Sequence, residues 1–425
     1  MKRGIVFIVI ILLAVSVSLF AGGGSQKQQA QKPAKISFWH WWDPDSEVFC
    51  RTLCNEWTAR SGIDVELMIM QDYATILTAI SGGNPPDAVM LTLKGQLSDM
   101  VANGAAYCLD DLIARDKIDM SKFLDTSLYG YKYNGKYYGL PFMGFNLGLY
   151  WNKRAFREAG LDPEKPPKTT EEVIEYAKKL TKRDASGKIV QLGFCSNDFM
   201  CAAAAYNTRY FDEKTGKYTL DNPQMVKALE YLRTFYQELG IDPQETQNFI
   251  RSAGAYLTPE DIFQSGKAAM VTDGNWMVNF IKTVEYGATT LPYSRDFPQL
   301  EGLNYIEYNP HFIPSGSKNI DAAWDLYKFM IVDPVNTVRF ADAVANLPQL
   351  KEIPTTFQSD LFNNPVWRMF VNAANNKNCI PYPLIPLYNE FSSKMSEVTE
   401  QISLIRNTDI RALLKRTEEE LNSQL

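Results

Sequence analysis

The sequence predicts an open α/β sheet distributed over more than one domain. Three observations lead there. Short β-forming runs alternate with helical periodicity from about residue 36 to residue 103. The third of these runs, Asp87–Leu93, is nearly all apolar, as a strand covered on both faces requires. The chain has 425 residues, and at roughly 150 residues per domain that suggests two or three domains.

Taken in order, Ile36–His40 has strand composition, and Pro44-Asp45-Ser46 supplies a turn and a cap. Glu47–Arg60 then places Phe49, Leu53 and Trp57 on one helical face and stops at Ser61-Gly62. Ile63–Met70 alternates as a second strand. Tyr73–Ile80 is a short helix, ended by Gly82-Gly83-Asn84-Pro85-Pro86. Gln96–Asn103 is helical. Tyr137–Leu140 and Leu147–Trp151 read as two strands flanking a connection, Pro141–Asn146. Helices are expected over Asn152–Leu161, Val173–Leu180, Gln224–Leu239, Ala322–Ile331, Asn336–Ala345, Asn389–Arg406 and Asp409–Leu421, and a strand over Ala268–Asp273. No internal repeat is present.

The first residues carry a different message. Lys2 and Arg3 precede an almost wholly apolar run, Ile5–Phe20, followed by Ala21 and three glycines. This is the pattern of a secretory signal peptide over 1–21, with a flexible polar leader over 22–34. The run falls just short of a usual membrane span of about 20 residues, although an uncleaved anchor is the competing reading. No cysteine lies near the cleavage point to take a lipid. The expected location is therefore extracytoplasmic, in the periplasm or its equivalent.

Composition excludes several partners. The net charge is −6 and no basic run exists, which argues against nucleic acid. Six cysteines (50, 54, 108, 195, 201 and 379) are too few for a disulfide scaffold in a chain this long. They read best as small buried side chains, with a Cys195–Cys201 bridge as the alternative. There is no CxxC and only two histidines, so no metal or other cofactor is expected. Glycine-rich phosphate loops, G-x-S-x-G and H-E-x-x-H are absent. A carboxylate pair for glycoside hydrolysis is always available among 49 acidic residues, so a secreted carbohydrate-active enzyme stays as the alternative to a binding protein. A receptor feeding a sensor protein is a third reading.

Open α/β sheets bind ligands beyond the carboxyl ends of their strands. The residues just after each run are Trp41-Trp42-Asp43, Lys94-Gly95-Gln96, Phe142 to Asn146, Asp273-Gly274-Asn275-Trp276 and Tyr308–His311. Aromatic rings stand beside single polar groups at almost every one. A sugar needs that mixture, because its C–H faces lie on flat rings while each hydroxyl needs a partner. Amino acids, polyols and small peptides would suit it as well. Alternation puts His40 and Trp42 on one face and Trp39 and Trp41 on the other, so one pair is expected in the core. His40 reads as a packed histidine, not as a base.

Five segments, in order, resemble the family 1 extracellular solute-binding proteins, the maltose-binding-protein-like receptors of ABC importers. They are Ile36–Trp42, Ala79–Val89 with its Pro86-Asp87 turn, Gly139–Phe142 with Leu149–Lys153, Phe263–Met270 leading to Gly274-Asn275-Trp276, and Ile313–Lys318 with Ala322–Trp324, Phe329-Met330 and Leu347-Pro348. The resemblance covers about Lys35–Leu421. It implies a type II periplasmic-binding-protein fold, with two α/β lobes joined by a three-crossing hinge. The N-lobe would be 35–143 and 306–346, and the C-lobe 147–303 and 350–425. It implies ligand contacts at Trp41, Trp42, Asp43, Lys94, Gln96, Phe142, Asn146, Asp273, Asn275, Trp276 and Tyr388. It also implies a monomer that captures a small solute, a mono- or oligosaccharide, and hands it to the membrane permease subunits of an ABC importer. ATP would be consumed by a separate subunit.

Overall fold

The computed structural model describes residues 33–425 except 43, 71, 196–198, 353, 355–356, 383 and 406. The signal segment, most of the leader and Asp43 therefore lie outside the described residues. Ala34–Leu425 forms one unit.

Eight strands make the main sheet: β1 (Lys35–His40), β2 (Asp64–Ile69), β3 (Ala88–Met90), β4 (Leu140–Asn152), β5 (Met270–Gly274), β6 (Tyr286–Thr289), β7 (Asn304–Phe312) and β8 (Cys379–Pro381). The order is β2-β1-β3-β7-β4-β5, with β6 also on β4 and β8 on β7. β1 is parallel to β2 and β3. β7 runs antiparallel to β3 and β4, and β4 is antiparallel to β5 and β6. β4 changes partners midway: residues 140–146 pair with β7, and 147–152 lie between β5 and β6.

The helices that matter below are α1 (Pro44–Ser61), α2 (Ala74–Ser81), α3 (Lys94–Ala102), α4 (Thr170–Leu180), α5 (Phe199–Ala205), α6 (Pro223–Leu239), α7 (Pro243–Arg251), α8 (Ile320–Tyr327), α9 (Pro334–Ala343), α10 (Pro365–Ala374), α11 (Tyr388–Leu404) and α12 (Ile410–Asn422). Local chemistry sets their ends. The Thr169 hydroxyl accepts from the Glu172 N–H while the Glu172 carboxylate accepts from the Thr169 N–H, a reciprocal cap on α4. Asn222 caps α6 in the same sense, Pro223 occupies its first turn, and Gly240 ends it at φ 58°.

The structure corrects four expectations. Pro141–Asn146 is not a connection. It belongs to a single 13-residue strand, buried throughout. Pro141 faces Pro310 across the ladder, so the two missing N–H donors coincide and the proline does not break the strand. Tyr308–His311 likewise lies inside β7 and not beyond it. The third strand is short. The side-chain oxygen of Gln96 accepts from the N–H groups of Thr92 and Leu93, at 3.1 and 3.2 Å, and draws that segment out of the ladder. After Tyr327 the expected helix continues as a wider π-type turn, Lys328–Val332. Its carbonyls are satisfied by side chains: Asn336 donates to Phe329, Thr337 to Ile331 and Gln349 to Ile331.

An aromatic core lies under β1, β4 and β7. Trp42 packs on Phe340 with ring centroids 4.8 Å apart, and Phe142 on His311 and Phe340, each at 5.1 Å. Asp87 fastens this region. Its carboxylate accepts from the Ser37 N–H at 2.9 Å, Ser317 at 3.1 Å and Asn319 at 3.0 Å, joining β1 to the segment before α8. All six cysteines are free thiols, so the Cys195–Cys201 bridge is not formed. Cys50 and Cys54 are buried. Among the described residues no helix is long and apolar enough to cross a membrane.

Phe142 is fully buried. Replacing it with Ala is expected to cost about 3–5 kcal/mol, the range for emptying a large aromatic site, as read by urea unfolding.

Candidate functional site

The residues expected to meet a ligand fall into three groups. The first is consumed by the fold. Trp42 and Phe142 are core residues, as described above, because His40, His311 and Phe340 surround them with rings. His40 is buried and its pKa is lowered to about 4, chiefly by burial. His311, also buried, is lowered to about 3 for the same reason. Both are neutral imidazoles at physiological pH. Lys94 is fully buried with its ammonium 3.4 Å from the Glu307 carboxylate and 5.3 Å over the Tyr129 ring. Glu307 also accepts from the Tyr308 N–H at 2.8 Å. Burial nevertheless raises its pKa to about 7, with Lys94 opposing. Lys94 is thus sealed inside the fold against Glu307, which differs from its expected place beside a ligand. The Gln96 carbonyl group of the side chain is spent on capping α3.

The second group ties together three passages of the chain. Asn146 and Asn275 are both fully buried. The Asn275 side chain accepts from the Asn146 N–H at 2.8 Å and donates to the Ala345 carbonyl at 2.6 Å. In return the Asn275 N–H donates to the Asn146 carbonyl at 3.1 Å. The Asn146 amide donates to the Phe370 carbonyl at 2.8 Å. Nearby, Gly144 and Leu347 exchange both backbone bonds, at 2.6 and 2.7 Å, while Gly144 pairs with Tyr308 on its other side. Met143 and Ala345 take left-handed backbone, at φ 54° and 53°, costly for a side chain with a Cβ. The sequence reading gave these two asparagines to the ligand. Their amides instead join β4, the segment after β5 and the segment after α9.

The third group makes a polar and aromatic corner. The Tyr256 hydroxyl donates to the Asp273 carboxylate at 2.8 Å and accepts from the Trp276 indole N–H at 2.8 Å. Asp273 also accepts from the Gly274 N–H at 2.7 Å. Burial raises the Asp273 pKa to about 6, against the two hydrogen bonds. The Trp276 ring folds back over Gly274, where a Cβ would come within 2.0 Å of it. The indole also meets the Phe145 ring in an edge-to-face contact at 5.5 Å. Tyr256 and Phe145 were not singled out in the sequence. Tyr256 sits in a loop far from any strand end, and its side chain is more than half exposed.

Tyr388 opens α11 and lies against α3, where a Cβ on Gly95 would meet its ring at 2.3 Å. Asp99 of α3 accepts from the N–H groups of Leu387 and Tyr388, with its pKa raised to about 6 by burial. Trp41 is half-buried against Leu91 and its neighbours. Its indole N–H is buried with no partner among the described residues. Among the described residues no group of three or more His, Cys, Asp or Glu is placed to hold a metal.

Two measurements follow. Asn275→Ala orphans the Ala345 carbonyl and the Asn146 N–H; at about 1–3 kcal/mol for each unpaired group, urea unfolding should show a larger loss than for Asn279→Ala. Asp273 holds its proton more tightly when folded than the ordinary carboxylate value of 3.8. The folded state therefore binds more protons between about pH 4 and 6, and stability falls as pH rises through that window. Asp273→Asn should flatten this part of the stability–pH curve, with the remainder attributable to Asp99 and Glu307.

A family model described as bacterial extracellular solute-binding protein matches residues 51–336. Among curated proteins, the chain is similar to the maltotriose-binding protein of Pyrococcus abyssi, 24% identical over 395 residues that cover 91% of this chain and 82% of that one. It is also similar to the sn-glycerol-3-phosphate-binding periplasmic protein UgpB of Brucella abortus, 26% identical over 280 residues, 62% of this chain and 63% of the other. Among solved structures, CpMnBP1 with mannobiose bound matches at a TM-score of 0.82 and 26% identity, covering 92% of this chain and all of that one. The architecture is the type II periplasmic-binding fold, two α/β lobes joined by a three-crossing hinge.

Proposed function

Because the chain belongs to the bacterial extracellular solute-binding proteins, whose members bind solutes, we propose that it captures an oligosaccharide between its lobes and delivers it to an ABC importer. In this reading the lobes are 35–143 with 306–346, and 147–303 with 350–425. The Asn146–Asn275–Ala345 node marks where the passages cross.

The observation that carries the reading is the corner at Trp276. A flat indole rests on Gly274 and touches Phe145 edge to face, and a hydroxyl and a carboxylate stand at its edge. A pyranose ring laid on the indole would bury C–H groups worth about 25 cal/mol per Å2, while Asp273 and Tyr256 exchange hydrogen bonds with its hydroxyls. A phosphorylated polyol fits less well. Its dianion would face the Asp273 carboxylate, and Lys94 is already committed to Glu307. The ligands printed for the P. abyssi relative and for CpMnBP1, maltotriose and mannobiose, support the sugar reading.

Closure follows from differential contact. A ligand that touches both lobes only when they are shut shifts the population toward the shut form. The shut form is what the permease subunits would recognise. The chain would act as an exported monomer without catalysis of its own.

Titration calorimetry and tryptophan fluorescence against malto- and manno-oligosaccharides test this, with glycerol 3-phosphate as the counter-ligand. Binding of one sugar series is expected, and Trp276→Ala should weaken it at least tenfold. Binding of glycerol 3-phosphate alone, or of no sugar, would overturn the reading.

A further inference from the structure

Many helices of this chain carry their own cap. Thr169, Asn222, Asp242, Asp333, Asn364 and Asp409 stand just before α4, α6, α7, α9, α10 and α12, and each side chain accepts from the first turn that follows it. Helix α11 does not. The residue before it is Leu387, whose side chain can make no such bond. The cap comes instead from α3, where the Asp99 carboxylate accepts from the N–H groups of Leu387 and Tyr388. The Asn389 side chain adds a longer contact to it at 3.5 Å. Leu387 takes left-handed backbone at φ 54°, and the helix begins at the next residue. A left-handed residue followed by a right-handed one turns successive N–H groups toward a single anion.

One helical turn before Asp99, on the same face of α3, Gly95 receives the Tyr388 ring, which comes within 2.3 Å of where a Cβ would stand. The two contacts make one seam between α3 and the start of α11. Each side of the seam is anchored elsewhere. The Tyr73 hydroxyl donates to the Gln96 carbonyl at 3.1 Å and ties α3 to the segment before α2. The Tyr218 hydroxyl donates to the Pro386 carbonyl and ties the turn before α11 to a distant part of the chain. With the lobes taken as above, Tyr73, Gly95 and Asp99 belong to one lobe, and Tyr218 and Tyr388 to the other.

We propose that Asp99 and the start of α11 form a latch between the lobes, one lobe capping a helix of the other, which sets how far the protein is shut before any ligand arrives. This rests on the hinged-lobe reading above. A cap borrowed across a seam is lost when the seam opens, and the N–H groups of Leu387 and Tyr388 then turn to water. Loss of a helix cap shifts the equilibrium it stabilises by about fivefold. Only the shut fraction offers a complete site, so apparent affinity follows that fraction.

Small-angle X-ray scattering of the protein without sugar tests the latch. Asp99→Ala should lower the ratio of shut to open form about fivefold and give a larger radius of gyration than wild type. Asp99→Asn, which restores an acceptor, should stay near wild type. Gly95→Ala attacks the seam at its other contact and should also open the protein. Alanine favours a helix more than glycine does, so that opening cannot come from a weakened α3. Calorimetry with maltotriose and mannotriose gives a second readout: for the sugar that binds, Asp99→Ala and Gly95→Ala should weaken affinity and Asp99→Asn should restore it. Wild-type scattering and affinity in both Asp99→Ala and Gly95→Ala, with sugar still compacting the protein, overturn the latch and leave the lobe reading standing. So does an Asp99→Asn protein as open as Asp99→Ala. If neither the variants nor either sugar changes the scattering, the hinged-lobe reading fails and the latch with it.

Discussion

The meeting of β4 with the segments after β5 and α9 depends on two buried amides. The Asn275 side chain accepts from the Asn146 N–H and donates to the Ala345 carbonyl, the Asn275 N–H donates to the Asn146 carbonyl, and the Asn146 side chain donates to the Phe370 carbonyl. No ring or apolar group could do this. The strands here change partners, so several peptide groups have no ladder neighbour, and a buried peptide group left alone costs as much as a lost hydrogen bond. An asparagine side chain is a peptide group without a chain attached, and it completes the pattern. The same node holds Asn275, and Trp276 is the next residue along the chain.

Around the node, charge is handled by burial as much as by pairing. Asp273, Asp99 and Glu307 have raised pKa values of about 6, 6 and 7, in each case with burial as the leading cause. All three sit where segments distant in the sequence meet: Asp273 against the Tyr256 loop, Asp99 of α3 against the start of α11, and Glu307 of β7 against Lys94. The two histidines are the reverse case, neutral and sealed among rings.

Much of the framework was legible in the sequence. The alternation from Ile36 to Asn103 gave β1, α1, β2, α2 and α3 nearly to the residue, because each segment has its own period and its own stop signal. The errors share a cause. Pro141–Asn146 looked like a connection because proline and glycine are read locally, whereas Pro310 and Leu347, which make the strand workable, are far along the chain. Lys94 looked like a ligand group because its partner, Glu307, is 213 residues away. Asn146 and Asn275 carried the right importance and the wrong role, since an amide looks the same whether it will face a hydroxyl or a carbonyl. Tyr256 was passed over because a loop aromatic has no period to announce it. Trp276 and Asp273 were picked out by their place after a strand, and Tyr388 only through the family resemblance.

Gly274 deserves a last consequence. The indole of Trp276 rests directly on its backbone, in space where even a methyl group could not fit. The height of the platform is therefore fixed by main chain, which evolution cannot trim or extend one atom at a time. A change at Gly274 would therefore move the indole, whereas the loop that bears Tyr256 can vary without lifting it.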